Sequence, residues 1–298
     1  MIHCRQCCNL YVWTFGTVPR MIKRFVRCAC SWAETRRNDE RNMESSETSL
    51  PSTHWKTLYG RMTGSQKLVR SLADIKNALP QLSGVKSCAM IGCGSGNHDL
   101  DFVRTYLPNV QKLTAVEPDA GEMAALKTRV AQLLPDVTGE FCQETAENWK
   151  GADHRFDAVL LFHCLYVIPV PERPALFKKL FDDVLASGGL VFVAVSPCNM
   201  TENPTGYCRL LDHLGLRHNV DGVQVREMMA SAGFRERYQL SKECQYDVQE
   251  PNDDLMSVFA SWCRGRLSLE KVRQIADEFI GREKGIQDDV WFGALEKP

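Results

Sequence analysis

The chain has 298 residues, 44% hydrophobic and 24% charged, with a formal net charge of -1. That balance describes a soluble globular protein with room for one large domain or two small ones. It argues against a strongly electrostatic nucleic-acid binder, and no apolar run reaches the roughly 18–20 residues of a membrane span.

The first forty residues differ from the rest. Arg5, Arg20, Lys23, Arg24 and Arg27 precede the first acid, Glu34, and five of the 13 cysteines lie here. The arginines suit a mitochondrial transit peptide, but such peptides are usually serine-rich. Cys4, Cys7, Cys28 and Cys30 resemble a zinc site only loosely, because the second pair is C-x-C. We read residues 1–50 as a disordered extension, with Met43 a sensible start and mitochondrial targeting the alternative. The other cysteines are scattered singly, as in a reducing cytoplasm.

From residue 51 the chain reads as one domain. A helical piece spans 51–83, where Leu68, Leu72, Ile75 and Leu79 form an apolar stripe that Pro80 and Gly84 end. Next, "KSCAMIGC" reads as a strand, "NHDLDFVRTYL" as a helix, "QKLTAVEP" as a strand and "DAGEMAALKTRVAQLL" as a helix. "VTGEFCQE" and "RFDAVLLFHCLYVI" are further strands, then "PERPALFKKLFDDVLAS" a helix and "GGLVFVAVS" a strand. Nearly continuous apolar strands predict a parallel sheet covered on both faces, an α/β doubly wound fold. The core spans 84–243. Residues 244–298 add amphipathic helices at "LMSVFASWCRG" and "SLEKVRQIADEFI" and a last strand, "DVWFGAL".

The turn "IGCGSGNHDL" follows the first strand, where open α/β sheets bind ligands. Gly92, Gly94 and Gly96 let a ligand approach the backbone. Asn97 stands where the dinucleotide fingerprint has its third glycine, and no Gly-Lys-Ser/Thr ending marks an ATP loop. The turn suits a cofactor that presents no phosphate, such as the aminoacyl end of S-adenosylmethionine. Glu117, at the end of the second strand, is placed to accept ribose hydroxyls.

"IGCGSGNHDLDFV", "AVEPDAGEMAALKTRVAQ", "CQETAENW" and "FDAVLLFHCLYVIPVPERPALFKKLFDDVLASGGLVFVAVS" together resemble the histamine N-methyltransferase family. The resemblance runs from about residue 55 to the C-terminus and is weakest over 200–285. It implies a Rossmann-like, seven-stranded class I methyltransferase sheet with helical additions that cover the substrate. It also implies S-adenosylmethionine as cofactor and, as activity, methyl transfer to a nitrogen of a small, histamine-like amine by a monomer. Gly92 and Glu117 match family cofactor residues. Glu122 stands where the family has glutamine, Ala146 where it has serine, and Phe162 where it has an aliphatic residue; Phe162 also reads as plain core. On the substrate side Lys67 replaces a glutamate and Asp289 an asparagine, which points to altered specificity. His163, in place of a family glutamine, and Tyr166, a family aromatic, lie at the C-terminal end of the fourth strand as candidate catalytic groups. No metal site is expected there. A methyltransferase-like binding protein without turnover, or an NAD-dependent oxidoreductase, are the alternatives. On the reading of the N-terminus, a chain reduced to residues 43–298 is expected to retain methyl transfer in a labelled-donor assay; loss of activity would contradict that reading.

Overall fold

The computed structural model describes residues 72–197, 199–200, 205–215, 219–246, 256, 267–283 and 286–298. By its internal contacts the chain divides into Met1–Ser49 and Leu50–Pro298, and every described residue lies in the second unit. The N-terminal cysteines, Lys67 and most of "LMSVFASWCRG" lie outside the described residues.

The first described helix, α1, is the single turn Ile75–Ala78. Pro80 cannot donate a helical hydrogen bond, so the chain tightens into a 3-10 turn over Pro80–Gly84. The predicted stripe is real where it is described: Leu72, Ile75 and Leu79 are fully buried. The βα units then follow as β1 (Ser87–Ile91), α2 (Asn97–Tyr106), β2 (Lys112–Val116), α3 (Ala120–Leu133) and β3 (Thr138–Cys142). After these come β4 (Phe156–Phe162), α4 (Arg173–Lys179) with a π-helical turn Leu180–Val184, and β5 (Leu185–Val195). Helices α5 (Gly206–His213) and α6 (Gly222–Ser231), strand β6 (Arg235–Tyr246), α7 (Leu269–Glu283) and β7 (Ile286–Glu296) complete the described elements.

The seven strands form one sheet in the order β3-β2-β1-β4-β5-β7-β6. The first five are parallel, while β7 runs antiparallel to both β5 and β6. Alternating side chains feed two cores. Ala158, Leu160 and Phe162 face one core with α2, whereas Val159 and Leu161 face the other with α4 and α6. This double burial is why the central strands read as unbroken apolar runs. β3 departs from that pattern: at the sheet edge its first three residues are exposed.

One expected strand is shorter than its apolar run. "RFDAVLLFHCLYVI" leaves the sheet after Phe162, because His163 takes φ of 54° and Leu165–Val167 form a 3-10 turn. A non-glycine residue in the left-handed region is uncommon and marks a forced change of direction. The apolar residues beyond it, Leu165 and Ile168, pack beneath the sheet's carboxyl edge instead of extending the strand.

At the opposite edge a carboxylate clamps β1 to β4. Asp157 Oδ2 accepts from Lys86 N at 2.8 Å, Ser87 N at 2.9 Å and Ser87 Oγ at 3.1 Å. Ser87 Oγ in turn accepts from Asp157 N at 3.1 Å. Asp157→Ala removes the shared acceptor from partly buried donors, so a loss of about 1–3 kcal/mol in urea unfolding is expected. A change within measurement error would show that the clamp adds nothing to stability.

Candidate functional site

Strand order reverses between β1 and β4, since β2 and β3 lie on one side and β5 on the other. In open α/β sheets the ligand crevice lies outside the carboxyl ends at such a switch point. The two segments that flank it here are residues 92–96, after β1, and 163–166, after β4.

Their close approach depends on Gly92. Its φ is 61°, and a Cβ there would lie 2.5 Å from Cys164 Cβ, so any side chain would push the two segments apart. Gly96 meets a different demand. At φ of 75° it is the N-cap of α2, and a Cβ would fall 2.4 Å from Leu126 Cδ1 and 3.0 Å from Leu100 Cγ. Gly96 therefore packs α2 against α3, and the turn's opening lies at Gly94. A Cβ added at Gly94 would meet nothing nearer than Glu122 Oε2, at 3.8 Å. Asn97, at the third-glycine position of a dinucleotide turn, accepts a hydrogen bond from Arg129 of α3 and so ties the two helices together.

Glu117 joins the turn to the next loop. One carboxylate oxygen accepts from Gly94 N at 2.8 Å and the other from Asp119 N at 3.0 Å. Burial pushes this carboxyl above its usual range, and the two N–H donors partly counter that. Asp119 also caps α3, accepting from Glu122 N at 2.8 Å. That cap orients the first turn of α3 so that Glu122 faces Gly94. Gly94, Glu117 and Glu122 thus meet in one place although 28 positions separate the first from the last. Ala146 is buried in the core on the α4 face, in the β3–β4 connection with Trp149. Phe162 is placed differently from a cofactor contact. Its ring packs edge-on against Phe102 at 5.3 Å and lies 6.0 Å from Phe292, within the α2-side core. The alternation of β4 turns it there, and the strand end reaches the crevice at His163 instead.

His163 and Tyr166 do come together. His163 Nδ1 lies 3.2 Å from the Tyr166 hydroxyl, and the rings stack at 25° with centroids 6.2 Å apart. The Tyr166 hydroxyl accepts from Ser196 N at 2.5 Å, which fixes it to the end of β5. The Tyr166 carbonyl accepts from Asn219 Nδ2 at 2.8 Å. Burial, then the neighbouring His98, push the His163 imidazole down to about 3, so it is neutral across the physiological range. Asp289 lies in β7 opposite Glu243 of β6, two positions beyond the Val195–Trp291 pair that ends the β5–β7 ladder. That register puts it on the carboxyl edge of the parallel strands, on the same face of β7 as Trp291. Lys67 lies outside the described residues.

Two neighbouring residues went unnoticed in the sequence. His98, in the first turn of α2, stands edge-on to His163 with centroids 5.7 Å apart. Burial lowers its pKa, Asp101 opposes that, and Arg129 adds to it. Asp99 is only 3% exposed. A signal for it existed: Asp99, Phe102, Val103 and Tyr106 have the i, i+3, i+4, i+7 spacing of the buried stripe of α2. A carboxylate on such a stripe needs explaining. A surface cavity of about 300 Å³ between the ends of α2 and α3 is lined by Leu107, Leu133 and Pro135 and lies at the amino edge, away from this crevice.

Residues 89–189 match the model of a methyltransferase domain. No curated protein matches the chain in sequence. Among solved structures, the "putative methyltransferase" of Bacillus halodurans C-125 is 16% identical, with a TM-score of 0.52 over 74% of this chain and 98% of its own. The "putative sarcosine dimethylglycine methyltransferase" of Galdieria sulphuraria is 12% identical, with a TM-score of 0.54 over 83% of this chain and 98% of its own. At these identities the two structures speak for the fold. Strand order, glycine turn and the matched domain give the chain the fold of the class I, S-adenosylmethionine-dependent methyltransferases. The crevice fits that cofactor. Gly94 leaves the backbone open to a ligand, and Asp99 Oδ1 is buried with no hydrogen-bond partner. Glu117→Ala is expected to weaken S-adenosylmethionine binding by about 1–3 kcal/mol in titration calorimetry, the cost of losing charge-assisted hydrogen bonds. Unchanged affinity would remove Glu117 from the cofactor site.

Proposed function

We propose that the protein transfers a methyl group from S-adenosylmethionine to a nitrogen of a small amine, histamine or a relative of it. The observation that carries this reading is the charge pattern at the carboxyl edge. Glu117 and Glu122 stand at the turn, Asp289 lies at the edge of β7, and His163 is held neutral beside Tyr166. An acidic crevice attracts ammonium ions from solution. Once the amine is desolvated, burial favours its neutral form, and only that form has a lone pair to react.

The cofactor supplies a methyl group already activated by its sulfonium charge. The chain therefore has to hold the amine, exclude water and fix its orientation. In this reading Tyr166 and His163 form one wall of the acceptor pocket. The hydrogen bond from Ser196 N fixes the phenol, and the stacked imidazole, its Nδ1 turned to that phenol, adds a polar ring without a positive charge. Asp289 supplies the anionic end, and Lys67 modifies the acceptor range from the N-terminal piece. Gly92, Gly94, Gly96, Glu117, Glu122 and Ala146 form or support the cofactor side, with Phe162 holding the end of β4 in the core. Among the described residues Cys88, Cys93, Cys142 and Cys164 form no disulfide, which supports a reducing, cytoplasmic setting.

The test is a panel of primary and secondary amines, histamine included, assayed with methyl-labelled cofactor. Transfer to an amine that falls at least tenfold in kcat/KM in Tyr166→Phe, about 1.4 kcal/mol, is the expected result. Cofactor binding without transfer to any amine, or transfer only to oxygen or carbon acceptors, would overturn the proposal.

A further inference from the structure

Asp99 is the buried charge that the proposed chemistry leaves unused. It sits in the first turn of the ten-residue helix α2, three positions after the last glycine of the turn. Its Oδ1 is buried and has no hydrogen-bond partner. Its position follows from the groups whose ionisation it disfavours: Cys88 on β1, Cys93 in the turn and Cys164 after β4. Glu117, after β2, in turn disfavours the ionisation of Asp99. Of these, Cys93, Cys164 and Glu117 belong to the turn and to the segments after β4 and β2, and Asp99 follows Gly96 by three residues, so the buried carboxyl lies beneath the glycine turn. Those four neighbours are thiols and a carboxyl, so none supplies a positive charge to balance it. A lone buried carboxylate is costly, and the group avoids the cost by holding its proton. Burial, reinforced by Glu117, pushes Asp99 up to about 8, while a hydrogen bond from its own backbone N–H opposes the shift.

The geometry points to Asp99 as a proton-coupled counter-charge for the α-ammonium of S-adenosylmethionine: cofactor entry ionises Asp99 and expels its proton to solvent. The inference rests on the turn being the seat of the aminoacyl end. In the step the O–H bond of the Asp99 carboxyl breaks, both electrons remain on the carboxylate, and the proton passes to buffer. The ammonium arriving beside it keeps the new anion paired. A ligand without an α-ammonium has nothing to offer that anion and leaves the carboxyl protonated.

The direction of the pH effect follows. At neutral pH the free protein holds the proton and the complex does not, so binding releases it. Affinity must then rise with pH, by up to about tenfold per unit, until the pH passes the free-protein value of Asp99. Glu117 is also raised and can release part of a proton, so a variant is needed to separate the two.

The experiment is titration calorimetry of the full chain in buffers of differing ionisation enthalpy, between about pH 6 and pH 7.5, below the usual α-amino range. Three ligands are used: S-adenosylmethionine, S-adenosylhomocysteine and 5′-methylthioadenosine, which lacks the aminoacyl end. The expected result is release of close to one proton with the first two and much less with the third. In Asp99→Asn that release should fall to whatever Glu117 contributes, and the preference for S-adenosylhomocysteine over 5′-methylthioadenosine should narrow at least tenfold. If Asp99→Asn fails to fold, the comparison of ligands on the native chain decides. Release with S-adenosylmethionine alone would assign the counter-charge to the sulfonium and overturn the ammonium pairing. Binding of all three with equal proton counts would overturn the inference and leave the cofactor reading intact. Failure of S-adenosylmethionine to bind at all would overturn the reading of the turn, and the inference with it.

Discussion

The carboxylate of Glu117 accepts one hydrogen bond from Gly94 N and another from Asp119 N, and the arrangement of the crevice depends on that bridge. It holds the glycine turn against the loop after β2. That loop carries Asp119, which caps α3 and so sets where Glu122 stands. On the other side of the turn, the absence of a side chain at Gly92 lets β1 and β4 discharge their chains within contact distance. A single carboxylate and a single missing Cβ thus bring three strand ends to one point. Neither device is strong by itself. Backbone N–H groups bonded to a charged acceptor are worth about 1.5–3 kcal/mol each, but they act on loops whose ends the sheet already holds.

The loops that carry His163 and Tyr166, the proposed acceptor side, are held by a second network centred on a buried cation. Arg173 is fully buried, and its Nε donates to Ile168 O at 3.0 Å while Nη1 donates to Asn219 O at 2.6 Å. Asn219 returns a bond to the Tyr166 carbonyl, and Tyr166 takes the N–H of Ser196. Asp221, capping α6, accepts from Met200 N at 3.0 Å and so binds the chain after β5 into the same set. The loops after β4 and β5 and the segment before α6 are therefore held as one body. A pocket wall made of loops needs such wiring, because loops lack a ladder of their own. A guanidinium suits this position because its rigid planar fork reaches two separate carbonyls from different nitrogens, where a lysine presents all its donors on one.

The two sides differ in electrostatic design. The proposed cofactor side concentrates carboxyls, with Glu117, Glu122 and Asp99 around one glycine turn. The proposed acceptor side has neutral aromatic groups, His163 and Tyr166, with the buried arginine turned away into the loops. Low-dielectric surroundings make each of these assignments matter more than it would in water. Burial, aided by the neighbouring carboxyls, raises Glu117, and burial, aided by His98, lowers His163, so both groups keep less charge than their residue types imply.

Much of this was legible in the chain. Apolar runs with helical segments between them already specify a doubly wound sheet, because covering both faces is the only way to bury such strands. The turn 92–96 and Glu117 were readable for a related reason: glycine at alternate positions and a carboxylate at the next strand end are local patterns with local physical causes. What sequence could not settle was direction. Phe162 and His163 are neighbours, yet one ring enters the core beside Phe102 and the other turns to the crevice, because the backbone flips to φ of 54° between them. Gly96 read as part of a ligand cradle, but Leu126, 30 positions away, is what requires it. The antiparallel run of β7, which carries Asp289 to the carboxyl edge, likewise depends on pairing with β5 and not on any residue within it. The sequence by itself determined the alternation of elements and the chemistry of the turn, since both arise from spacing along the chain. Tertiary structure alone decided which side chains share the crevice, since that depends on contacts between residues far apart in the chain.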